Sequence, residues 1–162
     1  MTLQPPLKKY QYKKLKSEVY NLYISKKIFN EELKDQLNFY MLKYIFMSNN
    51  NYKNRFINLI DTQQELSLIL DKNIFNIFMS KIPEKCKNFI NYDKTTFKIL
   101  EIYTLENEIY VPGTTSYISS IMAENNIPIL YINSFNNNYI LIPETYFIHA
   151  CNIIDQIAEQ DP

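Results

Sequence analysis

A chain of 162 residues, 46% of them hydrophobic, is long enough for one core or two small ones. Its seventeen basic and seventeen acidic side chains cancel, which argues against nonspecific nucleic-acid binding, because that needs an excess of Lys and Arg to displace counterions. No apolar run reaches the roughly 18–20 residues of a membrane span, and the basic start "MTLQPPLKKYQYKKLK" has no apolar segment behind it. The expectation is a cytoplasmic protein with two free thiols, Cys86 and Cys151.

Residues 1–17 read as a basic N-terminal arm, with Lys8, Lys9, Lys13, Lys14 and Lys16 interleaved with Tyr10 and Tyr12. Nothing gives the arm a motif, so it is expected to be a solvated terminus. "EVYNLYIS" (18–25) is rich in β-branched and aromatic residues and predicts a strand. Asn30 is a candidate cap for a helix over 30–47, with Glu31 and Glu32 in its first turn. Leu33, Leu37, Tyr40, Met41, Tyr44 and Ile45 then recur at steps of three and four. "RFINLID" (55–61) and "LSLILD" (66–71) predict a hairpin. "NIFNIFMSKI" (73–82) predicts a helix capped by Asn73 and ended by Pro83. Residues 84–93 are polar and read as a linker.

The second half repeats the order. "TTFKILEIYTL" (95–105) alternates as a strand, "ENEIYVPGTT" is a loop and "SYISSIMAENN" is a helix with Ile118, Ile121 and Met122 on one face. "IPILYINSFNNNYILIPE" (127–144) predicts a hairpin broken at Asn136, Asn137 and Asn138. A closing helix carries Phe147, Ala150, Cys151, Ile154, Ile157 and Ala158 on its apolar stripe. Each half reads strand, helix, strand, strand, helix, so an α+β fold is expected, with helices on one face of an antiparallel sheet. A first domain is placed at 18–92 and a second at 93–162. The fourth strand of a ferredoxin-like βαββαβ unit is not visible in either half. The second unit ends after its helix and is left incomplete or completed by another chain.

Chemistry is sparse. The only histidine, His149, lies in the last helix beside the apolar stripe and reads as structural. Two cysteines and one distant His cannot close a zinc site, and there is no P-loop or nucleophile elbow. No catalytic residue, metal site or cofactor is therefore assigned. Asp61, Asp71 and Glu101 read as solvated acids near strand ends. An RNA-binding α+β domain shares the element order, but the Lys/Arg-Gly-Phe motif of such domains is missing. Gly113, the only glycine, stands between strand and helix in "YVPGTTSY". There it reads either as a plain Pro-Gly turn or as a loop at a helix start, with Thr114 and Thr115 as candidate caps, where N–H groups favour an anion.

"ENNIPILYINSFNNNYILIPE" (124–144) resembles the second half of an ACT domain, and in particular the CASTOR family of cytosolic arginine sensors. Ile127-Pro128, Tyr131-Ile132, Ser134-Phe135 and Leu141-Ile142-Pro143-Glu144 carry the likeness. "GTTSYISSIMAENN", from Gly113, is similar to the loop and helix before it, and "LKYIFMSNNNYKNRFINLIDTQQELSLILD" (42–71) resembles the family's first ACT unit. The resemblance implies two tandem ferredoxin-like ACT domains and non-enzymatic amino-acid sensing upstream of TOR complex 1, through a GATOR-type complex. With one ACT pair per chain, it also implies a homodimer. It places ligand at Gly113, Thr114, Thr115, Pro128, Ile129, Ser134, Phe135 and Asn138. Asn138 stands where the family keeps an aspartate, and an amide does not reproduce the charge-assisted pairing of carboxylate with guanidinium. The expected ligand is thus an amino acid whose carboxylate meets the Gly113 loop, without arginine's charge partner. A ligand-free ACT scaffold is the alternative.

Overall fold

The computed structural model describes residues 10–26, 31–47, 55–104 and 113–160. Two compact units divide the chain: Ser17–Thr96, and Met1–Lys16 together with Phe97–Pro162. The expected cap Asn30, the turn "SNNNYKN", Lys8, Lys9 and most of the loop before Gly113 lie outside the described residues.

The unit Ser17–Thr96 takes the second part of β1 (Tyr10–Ser25), then α1 (Glu31–Met41), a π-helical turn (Leu42–Phe46), β2 (Ile57–Asp61), β3 (Glu65–Asp71), α2 (Lys72–Lys81), the short α3 (Glu84–Lys87) and β4 (Ile90–Tyr92). Its strands lie in the order β2-β3-β1-β4, all neighbours antiparallel. This is a full βαββαβ unit. Its fourth strand is β4, three residues long, with Leu22 facing Tyr92. The stretch read as a linker over 84–93 therefore holds a helix and the closing strand. Periodicity could not show it, because three residues make too short a pattern.

Alternation sends Leu22 and Ile24 of β1 and Leu68 and Leu70 of β3 to one face. There they meet Leu37, Met41 and Ile45 from α1 and the π-turn, and Ile74, Phe75 and Phe78 from α2. Helix α2 begins at Lys72, one residue earlier than predicted, because its cap is Asp71 and not Asn73. Asp71 Oδ1 accepts from the backbone N–H groups of Asn73 and Ile74, each at 3.1 Å. Asp71 is buried, which corrects its reading as a solvated acid. Asp61, by contrast, is exposed and paired with Lys26.

The second unit is built on β5 (Phe97–Thr104), α4 (Thr114–Glu124), β6 (Leu130–Asn133), β7 (Asn138–Pro143) and α5 (Glu144–Gln160). The first part of β1 lies beside β5, so the strand order is β1-β5-β7-β6. The chain's own N-terminal strand thus supplies the fourth strand, where the sequence left the unit incomplete. From Tyr10 onward the basic arm is strand, and Tyr12 packs on the core of this unit. The Tyr12 hydroxyl donates to Asp155 of α5, and Lys14 Nζ lies 4.0 Å from the same carboxylate. Leu100, Ile102, Ile140 and Ile142 face Ile118 and Met122 of α4 and Ala150 and Cys151 of α5.

Helix α4 ends in a left-handed cap. Asn126 has φ 55°, its N–H donates to the carbonyl of Ala123 at 3.0 Å, and the N–H of Ile127 donates to Met122 at 2.9 Å. Ile127 and Met122 also share the core, the apolar contact that accompanies this motif. The closed cap turns the chain into the stretch that leads to β6.

Candidate functional site

The register of the second unit decides which candidate residues meet. Ile102 of β5 faces Asn138 of β7, and Asn138 faces Asn133 of β6. The end of β5, the start of β7 and the β6–β7 turn therefore share one end of the sheet. Gly113, which follows β5, opens α4 at that same end. At the opposite end Phe97 faces Pro143 and Leu130 faces Leu141. Pro128 and Ile129 precede Leu130 and belong there. Eleven residues of α4 separate the two ends, about 16 Å at the α-helical rise.

Gly113 adopts φ 89° and ψ −11°, a left-handed conformation that suits a residue without Cβ. It is the N-cap of α4, its carbonyl accepting from Tyr117 N–H at 2.9 Å. It brings no side chain to cap the helix. Thr114 and Thr115 are the first helical residues and not caps, Thr114 buried and Thr115 exposed. This start keeps the positive end of the α4 dipole at the surface.

Ser134 serves its own turn. Its N–H and Oγ both donate to the Asn137 carbonyl, at 2.8 and 3.0 Å, and its Oγ accepts from Asn137 N–H at 3.1 Å. The turn is thus Ser134 to Asn137, and Asn138 is the first residue of β7, not part of the break. By alternation Asn138 shares the helix-facing side with Ile140 and Ile142, and it is half-buried. Phe135 is 74% exposed and points to solvent. Pro128 is exposed, while Ile129 packs partly on the core.

One polar cluster was missed by the sequence reading. Asn137 Nδ2 donates to Glu101 Oε1 at 2.9 Å and approaches the Tyr139 hydroxyl at 3.4 Å. Glu101 is half-buried, so its reading as a solvated acid is corrected. The signal was present in the alternation of "KILEIY", which sets Glu101 on the face opposite Leu100 and Ile102. Its partner came from a turn, which period-2 reasoning does not place.

Burial pushes both thiols above the usual cysteine value. Desolvation dominates at Cys86, opposed by Lys85, and at Cys151, opposed by the charge and hydrogen bond of Lys14. His149 is exposed on α5. Among the described residues no three His, Cys, Asp or Glu side chains gather as metal ligands. No helix among them is long and apolar enough to cross a membrane.

Residues 97–156 match the family model of the ACT domain. No curated protein matches the chain. Among solved structures, the regulatory subunit of aspartate kinase from Thermus thermophilus, in a ligand-free form, is similar at 9% identity, with 91% of this chain and 95% of that chain covered and a TM-score of 0.60. A protein of unknown function from Vibrio cholerae, described as a possible transport protein, aligns at 13% identity over 94% of this chain and 93% of that one, with a TM-score of 0.59. Aspartokinase III from E. coli, in complex with aspartate and ADP, aligns at 11% identity over 96% of this chain and 34% of that one, also at 0.59. At such identities the likeness is one of fold. The chain has the α+β, ferredoxin-like ACT fold, antiparallel sheet with helices, and the match to the ACT family itself is carried by residues 97–156.

Proposed function

We propose that this protein is a non-catalytic regulatory subunit that binds an amino acid through its second ACT unit. The observation that carries the reading is the ACT match over 97–156, which spans the left-handed Gly113, the start of α4 and the Ser134–Asn137 turn. In this reading the ligand carboxylate lies at the start of α4, against Gly113, Thr114 and Thr115. Its side chain lies toward Ser134, Phe135 and Asn138. Pro128 and Ile129 sit at the other end of α4, about 16 Å away by the helical rise. One amino acid does not span that distance, so the second copy of a homodimer supplies those two residues. Through its resemblance to CASTOR sensors the reading extends to cytoplasmic control of TOR complex 1 through a GATOR-type complex. Asn138 favours a ligand with a neutral or amide side chain over arginine.

A ligand-free scaffold is the second reading. It is favoured by one observation: the Ser134 hydroxyl is already engaged within its own turn.

A thermal-shift series over the twenty amino acids separates the two. A ligand held at one hundred times its dissociation constant adds about 2.7 kcal/mol of stability. The sensor reading expects one amino acid to raise the melting temperature, and Gly113→Ala to remove that rise. It also expects Asn138→Asp to create or improve a response to arginine. No shift with any amino acid would leave the scaffold standing.

A further inference from the structure

One hydrogen bond in the second unit connects a turn at the candidate site to the opposite face of the sheet. Glu101 of β5 stands opposite Tyr139 of β7, on the face away from the helices. Asn137 lies two residues before Tyr139 and reaches the same face, where its side chain meets both. Asn138, next in the chain, turns to the helix-facing side.

Asn137 is the residue that closes the β6–β7 turn. Its carbonyl accepts from both the N–H and the Oγ of Ser134, and its own N–H donates back to that Oγ. The two bonds that use Oγ are exposed, so water competes for the same groups. The side chain makes a different kind of bond. Its Nδ2 donates to Glu101 Oε1 at 2.9 Å in a part-buried setting. An ionised acceptor makes such a bond about twice as strong as a neutral one, and a lower local dielectric strengthens it further. Among the described residues this is the side-chain bond that ties the turn to β5.

The carboxylate is not engaged by a cation: the ion pairs among the described residues do not include Glu101. A half-buried carboxylate within a strand carries a desolvation cost, and the Asn137 amide is the group that offsets it. The rest of the turn has little packing of its own, with Phe135 74% exposed. The direction of Phe135 and the entry of Asn138 into β7 therefore depend on how firmly Asn137 is held.

We infer that Glu101 is a positioning residue. From the face opposite the candidate ligand site its carboxylate holds Asn137, and through Asn137 it fixes the turn that presents Ser134, Phe135 and Asn138. The hold on the turn is a property of the sheet, whereas its consequence for amino-acid binding rests on the sensor reading above. Glu101 itself touches no amino acid in this arrangement.

Amide hydrogen exchange on the intact chain, read residue by residue by NMR, tests it. Glu101→Ala should speed exchange at Ser134 and Asn137 about tenfold, while the amides of the β5–β7 ladder keep their protection. Glu101→Gln, which keeps a carbonyl acceptor, should retain most of the protection. Asn137→Ala should loosen the turn as Glu101→Ala does, and the double variant no further, because the two side chains share one bond. Each of the twenty amino acids is then titrated against the native and Glu101→Ala chains. One that binds the native chain should bind the variant about tenfold more weakly. Unchanged exchange at Ser134 and Asn137 in Glu101→Ala, or additive losses in the double variant, overturns the proposal whatever the amino acids do. Protection lost equally along the β5–β7 ladder also overturns it, because Glu101 then serves the whole sheet and not the turn. A loosened turn with undiminished amino-acid binding overturns the positioning role. If no amino acid binds the native chain, the sensor reading fails, and the exchange data alone decide whether Glu101 holds the turn.

Discussion

Asp71 shows how much one side chain can hold. It caps α2 through Oδ1, and its own N–H donates to the Phe56 carbonyl at 3.0 Å. Removing a cap of this kind costs about 1–2 kcal/mol. Asp71→Ala is expected to lower unfolding stability by about that amount in urea titrations. Asp71→Asn, which keeps an acceptor, should lose less. The two thiols give a second expectation. Their raised pKa means that the folded protein holds those protons more tightly than the unfolded chain. Below the ordinary thiol value both states are protonated and the thiols contribute no pH dependence. Above it the unfolded chain releases its protons first, so stability falls as pH rises toward the folded values. Cys86→Ala should make that alkaline decline shallower. Native Cys86 and Cys151 should also react with iodoacetamide far more slowly than in denaturant, since both are buried.

At the scale of elements, the amphipathic segments were legible because their periods are local. Leu37, Met41 and Ile45 announced the helix and its buried side, and "KILEIY" announced both faces of β5. Boundaries set by side chains were not. The polar run after Ile132 hid the fact that Asn138 already pairs with Ile102, since only strand register reveals where a turn stops. The cap at Asn126 is similar: a left-handed residue in a polar run is visible only through the bonds it closes. Asn126→Ala should destabilise the protein by about 1 kcal/mol, because Ala pays the left-handed penalty. Asn126→Gly should be close to neutral. Thermal unfolding of the pair checks this, and equal losses in both would show that the side chain, not the backbone angle, matters.

For the whole molecule the connectivity makes the sharpest expectation. Ser17–Thr96 contains all four strands of its unit, whereas Phe97–Pro162 lacks the strand that Tyr10–Lys16 provides. The fragment Ser17–Thr96 is expected to unfold cooperatively on its own. The fragment Phe97–Pro162 is expected to aggregate or stay poorly ordered, because the edge of β5 is left unpaired. Adding a peptide of residues 1–16 should restore dispersed NMR signals to it. A fragment that is equally ordered without the peptide would remove the strand's structural role.

The candidate site divides along the same line. The ACT-like hairpin and the lone glycine were readable because they are contiguous, and the matched region 97–156 includes both. That Gly113 and Asn138 share one end of the unit while Pro128 lies at the other is a consequence of antiparallel register, which no local pattern carries. By itself the sequence determined the type and buried face of the long amphipathic segments and the repeated α+β order, because burial of an amphipathic segment depends only on its own spacing. The tertiary structure alone decided the two fourth strands, the burial of Asp71 and the partner of Glu101. Each of these rests on groups distant in the chain, as with Tyr12 and Asp155, 143 residues apart. Such pairings form only when non-local strands and helices have packed, and their stabilisation is then shared across the unit instead of written in any one stretch.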